Sequence, residues 1–272
     1  MTGRTLTEAF DIQPSHLAGV LAVEATSQRA FGRHTHDGFG IGVILHGAQD
    51  SASGRGNVRA EPGCLISVNP NEVHDGRPVA DGPRSWRMLY FDSALIARVA
   101  GLLEQSPGCE LAHPVLPCSA ARQSFLALHA ALTGPAEEPW WDVAEQELLQ
   151  VLGALLEDRR SYRPRLPTGA VARAIQRLDE APEVAASLTE LAREAGVSPH
   201  HFLRAFKAVT ALPPHAYRLQ RQLQKAHRQL LAGEAPVQTA LACGFADQSH
   251  LNRHFTRAYG YTPGRLARAV RG

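Results

Sequence analysis

The sequence predicts two domains of different class, α+β when taken together: a β-rich N-terminal domain with flanking helices, then an all-helical C-terminal domain. Length and composition, strand spacing and a repeated motif predict it. A chain of 272 residues, 44% of them hydrophobic, is long enough for two cores. Between residues 15 and 92, short strand-like runs recur at roughly ten-residue spacing, which argues for a sandwich or barrel. In the last third the periodicity turns helical, and one helix–turn–helix arrangement occurs twice.

Charge divides the chain at the same place. From Arg163 onward there are 16 Lys and Arg against 7 Asp and Glu, and before it 12 against 19. The net charge of +2 therefore conceals +9 beside −7. A basic last third points to nucleic acid as the partner of that part alone. Fourteen of its sixteen cations are arginine, the better residue for bidentate recognition. No apolar run approaches the ~18 residues a membrane span needs, and the N-terminus lacks the apolar core of a signal peptide. The 4 cysteines are scattered without a C-x-x-C pair, which suits reduced thiols in a cytoplasmic protein.

In chain order, the first dozen residues carry no pattern. Leu17–Glu24, Phe39–Leu45, Cys64–Val68 and Ser85–Phe91 have the apolar content of strands, and Gly47, Gly54, Gly56 and Gly63 punctuate the turns. Asn69 to Gly76 is expected to be a turn-rich loop. His34 and His36, two apart, would point to one face of a strand, and His74 can approach from a neighbour. Three imidazoles can meet a metal, line an organic-ligand pocket, or simply hydrogen-bond loops. Ligand contact is the main expectation, with no cofactor; His34, His36 and His74 are the residues that would hold a metal if one bound. Trp86, Met88 and Tyr90 alternate with Arg87, Leu89 and Phe91, and either set can face inward. Arg87 and Tyr90 are further pocket candidates. Arginine and histidine outnumbering lysine here suits an anionic or zwitterionic ligand.

Ser93 is expected to cap a helix running to Glu104, followed by a loop from Pro107 to Pro117. A second helix spans Ala120–Leu132 and stops at Gly134-Pro135. Asp142 is expected to cap a third, in which Ala144, Leu148, Val151 and Leu155 follow a four-three-four spacing. That is a coiled-coil-like seam, able to pack on its own barrel or on a second chain. Arg159–Pro167, polar and proline-bearing, reads as a linker.

The first helix pair turns at Gly196 and is capped at Ser198, with Pro199 at the first helical position, where its missing N–H costs nothing. Phe202, Phe206 and Val209 would face the core, and His200, His201, Arg204 and Lys207 would face out. The second pair turns at Gly244 and is capped at Asp247. Val237, Ala240 and Leu241 form one apolar face on its first helix; Leu251, Phe255 and Ala258 do so on its second. Gln248, Ser249, His250, Asn252, Arg253, Thr256 and Arg257 then face out. Between the pairs, Pro214–Leu231 has no breaker after Pro214 and makes a helix of about 27 Å. Major-groove faces recur about 34 Å apart, so both front faces, rich in groups that pair with base edges, can address one side of a duplex.

The segment from about Val171 to Arg268 resembles the AraC/XylS transcription regulators. The carriers are Ala192–Ser198, Arg204–Phe206, Ala240–Phe245, Ser249–Phe255 and Tyr261-Thr-Pro-Gly264. The resemblance implies seven helices with two helix–turn–helix units. It places His200, Leu203, Arg204 and Lys207 on the first recognition surface, and Gln248, Ser249, His250, Asn252 and Arg253 on the second. Residues 15–92 resemble the cupin-like effector domain of the same regulators, through Gly32-x-His34-x-His36, Gly63, Asn69-Pro70 and Glu72-x-His74-Asp-Gly76. They depart from metal-binding cupins in having Gly38, Phe39 and Gly40 where a carboxylate is expected.

The fold so implied is a cupin-like β-barrel (about 15–92) with helices (93–158) in a domain of 1–160, a linker at 161–170, and a double helix–turn–helix domain at 171–272. The function expected is a small-molecule-controlled regulator of promoter DNA. By resemblance it activates by recruiting RNA polymerase and dimerises through Ala144, Leu148, Val151 and Leu155. A metal-dependent cupin enzyme with an appended helical interaction domain is the competing expectation, although no catalytic arrangement is evident.

Overall fold

The computed structural model describes residues 8–13, 15–105, 109–117, 120–135, 140–157 and 169–271. It divides into two compact units, Met1–Ser161 and Tyr162–Gly272. The expected linker and Cys118 lie outside the described residues, apart from residues 169 and 170.

In the first unit nine strands come first: β1 (Ala9–Gln13), β2 (Val20–Ser27), β3 (Phe31–His34), β4 (Phe39–His46), β5 (Gln49–Ser53), β6 (Gly56–Ala60), β7 (Leu65–Val68), β8 (His74–Pro78) and β9 (Arg84–Phe91). Helix α1 (Ser93–Leu102), short strands β10 (Glu110–Leu111) and β11 (Val115–Leu116), helices α2 (Ala120–Thr133) and α3 (Trp140–Leu155), and β12 (Leu156–Glu157) complete it. One sheet has the order β1-β2-β9-β4-β7-β11 and the other β3-β8-β5-β6, with every pairing antiparallel.

Strand pleating assigns the two faces of the larger sheet, since successive side chains point to opposite sides. Ala22, Phe39, Ile41, Val43, Leu89 and Phe91 form a core with the helices. Trp86 and Tyr90 lie on the opposite face of β9, where they meet Phe31 and His36 of the smaller sheet's side. Two glycines of β4 make this possible. A Cβ on Gly40 would lie 3.1 Å from the Tyr90 ring, and one on Gly42 would lie 2.1 Å from the Met88 sulfur.

Several local expectations are corrected. A strand forms at Ala9–Gln13, where no pattern was expected, by pairing with β2, and the strand expected from Leu17 begins at Val20. His74–Gly76 is strand, because His74 pairs with His34 and Ser53; long-range pairing overrides the turn-like composition. The cap of α1 is Asp92, whose carboxylate accepts from Leu95 N at 2.6 Å. Asp142 sits within the first turn of α3 and does not cap it. Ala144, Leu148, Val151 and Leu155 are all buried in the core of their own unit, against α1 and α2. The seam therefore is not available to a second chain.

The second unit has seven helices: α4 (Gly169–Glu180), α5 (Leu188–Glu194), α6 (Pro199–Thr210), α7 (Pro214–Leu231), α8 (Pro236–Ala242), α9 (Gln248–Tyr259) and α10 (Pro263–Arg271). Ser187 and Glu190 form a reciprocal capping box that starts α5. Ser198 caps α6 and Asp247 caps α9, each accepting from the backbone N–H three residues on. Phe202 and Phe206 are fully buried with Leu178 and Leu191, and Phe255 with Leu251 lies equally deep. At about 1.5–3 kcal/mol per buried side chain, these pairs hold the helices more firmly than any cap. Val237 and Leu241 are 54% and 63% exposed, contrary to the expected apolar face; the buried residues of α8 are Thr239 and Ala240.

Helix α7 is the axis of this unit. Gln222 donates to Cys243 O at 2.9 Å and so anchors the turn between α8 and α9. A Cβ on Gly244 would fall 2.7 Å from Glu183 O, so this turn needs glycine for space as well as for its φ of 76°. Towards α4, Arg221 Nε and Tyr217 OH both donate to Asp179, at 2.6 and 2.8 Å. Lys225 pairs with Glu183 at 2.8 Å.

Candidate functional site

Two sites emerge, one in each unit. In the second unit the outward sides of α6 and α9 carry the predicted residues. His200, His201, Arg204 and Lys207 are exposed on α6, and Leu203 is half-buried. On α9, Ser249, Arg253 and Arg257 are exposed, while Gln248, His250 and Asn252 are half-buried. Some cations of this unit are used inside the fold. Arg177, Arg221 and Lys225 are paired with Glu194, Asp179 and Glu183. Among the described residues, the side chains of Arg204, Lys207, Arg253 and Arg257 have neither an acidic nor a hydrogen-bonding partner. Unneutralised guanidinium groups on helices with buried backs make a surface suited to phosphates and base edges.

Electrostatics agree with that surface. The imidazole of His254 is held below its usual range by partial burial, then by His250, Arg253 and Arg257 beside it. Two predicted residues are less free than expected. The His250 ring packs on Phe245 and His254, and its Nδ1 accepts from Ala246 N at 3.3 Å. Asn252 Oδ1 is enclosed and has no partner among the described residues.

In the first unit, His34, His36 and His74 converge between the sheets. Their ring centroids are 4.3 to 5.2 Å apart, and one nitrogen of each lies within 4.8 Å of the others. His34 ends β3 and His74 begins β8, directly across from it. His36 follows the strand and is not part of it, so the expected alternation along one strand is replaced by a turn. Tyr90 stacks beside His36 at 4.9 Å. Arg87 is not brought to the cluster. It points to the other face of β9 and pairs with Glu24 at 2.6 Å.

Burial favours the neutral form of His34 and His74. That of His34 is pushed down to about 3, chiefly by burial and then by His74, and that of His74 is lowered by burial. The Tyr90 hydroxyl is raised for the same reason.

Sequence reasoning missed Arg84, which is 1% exposed beside this cavity. Its guanidinium lies 4.9 Å from the Trp86 ring and 5.7 Å from the Phe31 ring. It donates to Gln49 Oε1 at 2.7 Å and to backbone carbonyls, with no carboxylate partner among the described residues. Burial pushes it down to about 10. The available signal was phase: Arg84 alternates in register with Trp86, Met88 and Tyr90. Phe10, packed edge-on against Phe31 and Trp86, adds a further aromatic wall.

Residues 17–152 match the family model described as AraC-like ligand binding domain, and residues 191–269 match a helix-turn-helix domain model. The chain is similar to the HTH-type transcriptional regulator YbfI of Bacillus subtilis, 25% identical over 227 residues, 81% of each chain. It is also similar to the virulence regulon transcriptional activator VirF of Yersinia enterocolitica, 34% identical over 77 residues, 28% of each chain. In fold it resembles ToxT of Vibrio cholerae, with a TM-score of 0.57 and 9% identity, covering 93% of this chain and 99% of that one. A second ToxT structure, described as bound to an unsaturated fatty acid, has a TM-score of 0.55 and 12% identity over 97% of each chain.

Proposed function

Since the chain belongs to the AraC-like transcription regulators, we propose that it reads promoter DNA with α6 and α9 under the control of a small molecule in its N-terminal barrel. The reading divides the chain into an effector domain at 1–160, a linker at 161–170 and a DNA-binding domain at 171–272. The single observation that carries it is the pair of capped helices whose backs are buried and whose front cations, Arg204, Lys207, Arg253 and Arg257, have no ion-pair or hydrogen-bond partner among the described residues.

The mechanism follows from differential affinity. An effector that binds one state of the regulator more tightly than another shifts the population towards that state, and DNA binding shifts with it. Activation through RNA polymerase, a homodimeric state and a cytoplasmic location complete the proposal. No helix among the described residues is long and apolar enough to cross a membrane. The dimer contact lies outside the buried seam of α3.

Genomic fragments retained by the purified full-length protein test this reading. A shared sequence among them is expected, and Arg253→Ala should weaken binding to it by about 1–3 kcal/mol while sparing unrelated DNA. Retention without any shared sequence would overturn sequence-specific recognition.

A further inference from the structure

We propose that His34, His36 and His74 form a divalent transition-metal site inside the barrel, with coordination positions left open for a small anionic ligand. The site is built from two sheet strands and one turn, and each part is fixed by something other than the histidines.

The backbone selects the ligand atoms. His34 Nδ1 lies 2.8 Å from Gly32 O, and His74 Nδ1 lies 2.9 Å from Glu72 O. A carbonyl accepts, so each Nδ1 carries the proton and each Nε2 keeps its lone pair. This is the arrangement by which carbonyls orient metal-ligating histidines and set their tautomer. Among the described residues neither Nε2 has a hydrogen-bond partner. Two unpaired Nε2 acceptors thus lie beside a third imidazole between the sheets, and a cation is what two such lone pairs accommodate. In a tetrahedral site with bonds of about 2.0–2.1 Å, ligand nitrogens lie about 3.3 Å apart. One nitrogen of each ring already lies within 4.8 Å of the others, so binding would draw them together by about 1.5 Å at most.

The segment bearing His74 is rigid. Asn69 Nδ2 donates to Glu72 Oε2 at 3.2 Å and to Leu111 O at 3.1 Å, while Asn69 Oδ1 accepts from Leu111 N at 2.8 Å. Arg55 donates to Glu110 at 2.6 Å and approaches Glu72 at 3.8 Å. His36 O accepts from Asn71 N at 2.8 Å, which ties the turn bearing His36 to the same segment. A preorganised frame of this kind is what a metal site requires.

Chemistry of the donor set names the ligand class. Three neutral imidazoles leave a divalent ion with its full double charge, since no carboxylate stands among them. Imidazole donors suit zinc, iron, copper and nickel, and exclude a magnesium or calcium site. On the same face of β9, Tyr90 lies 4.9 Å from His36 and Arg84 lies 4.9 Å from the Trp86 ring, so the surroundings of the site are aromatic and carry a positive charge. A small anion such as a carboxylate fits there; that half of the proposal rests on reading the barrel as the effector site.

The test uses the full chain after dialysis against EDTA, titrated with cobalt(II) chloride. One equivalent with visible d–d bands is expected, together with a rise in the melting temperature of the protein. His36→Ala and His74→Gln should each weaken binding at least a hundredfold, since altering groups one shell further out already costs about 10–100-fold. His46→Ala, at a histidine outside the cluster, should leave binding unchanged. Should His74→Gln fail to fold, His36→Ala decides, because His36 lies beyond the paired strand. No stoichiometric cobalt, or binding unaffected by His36→Ala, would overturn the site. Sodium azide added to the cobalt form should shift the bands, and unchanged bands would overturn the open position. Retention of DNA by the metal-free chain is read separately, so failure here leaves the regulator reading standing.

Discussion

Ala211 closes α6 with φ 58°, in the left-handed region, at the place where Gly260 closes α9. A side chain costs roughly 1–2 kcal/mol in that conformation, and glycine removes the clash at the expense of a more flexible unfolded chain. Ala211→Gly should therefore stabilise the C-terminal unit by about 0.5–1 kcal/mol, read as a higher denaturation midpoint. His227 sets a second residue-level expectation. It is half-buried in α7, its Nε2 lies 3.2 Å from Tyr261 Oη, and its ring stacks near Phe255 and Tyr259. Burial first, then Arg228, pushes it down from 6.5 to about 4. Between those values the unfolded chain binds the extra proton, so stability is full above about pH 6.5 and falls as pH drops towards 4. One proton corresponds to about 1.4 kcal/mol per pH unit. His227→Gln should flatten the acid limb of a denaturation series by that slope. Caps show what was legible at this scale. Ser198 and Asp247 each stand alone before a helical run and were readable. Asp92 and Ser93 are adjacent capping residues, and only the bond to Leu95 N separates them.

Helix α7 is the element that composition specifies best. It begins at Pro214, contains no later breaker, and runs to Leu231 as the sequence predicts. Helix α3 shows the limit of periodicity. A four-three-four spacing says that Ala144, Leu148, Val151 and Leu155 share a face, but it says nothing of what covers that face. In the fold α1 and α2 cover it. Leu148→Ala should therefore destabilise the N-terminal unit by about 2–5 kcal/mol, with the same loss at every protein concentration. A loss that grew on dilution would place these residues between chains. Strand β8 was hidden for a related reason. Asn69-Pro-Asn-Glu has turn composition, and the pairing of His74 with His34 is a contact across forty residues of chain that local pattern does not contain. The histidine cluster was nevertheless anticipated, because its ligand type and spacing depend on side-chain chemistry and not on which strand carries them. Arg84 was not, since an arginine at the start of a strand ordinarily signals an exposed end.

Across the whole molecule, charge is distributed by unit: −7 on residues 1–162 and +9 from Arg163 on. In the second unit much of the positive charge is already used inside the fold, as at Arg221 with Asp179 and Lys225 with Glu183. If α6 and α9 enter the grooves, the phosphates they contact are set by their own unpaired cations and not by net charge. Each phosphate neutralised releases counterions and adds about −0.9 to the slope of log K against log salt. Arg204, Lys207, Arg253 and Arg257 together predict a slope of about −3.6 per chain if all four meet phosphates, or about −2.7 if Arg253 reads a base. Arg257→Gln should flatten the slope by about 0.9 and weaken all sequences alike. Arg253→Ala should leave the slope nearly unchanged while erasing the preference for the cognate site. Affinities measured across a salt series for the full-length protein and these two variants separate the roles. Equal slopes in all three proteins would mean that Arg257 does not touch the backbone.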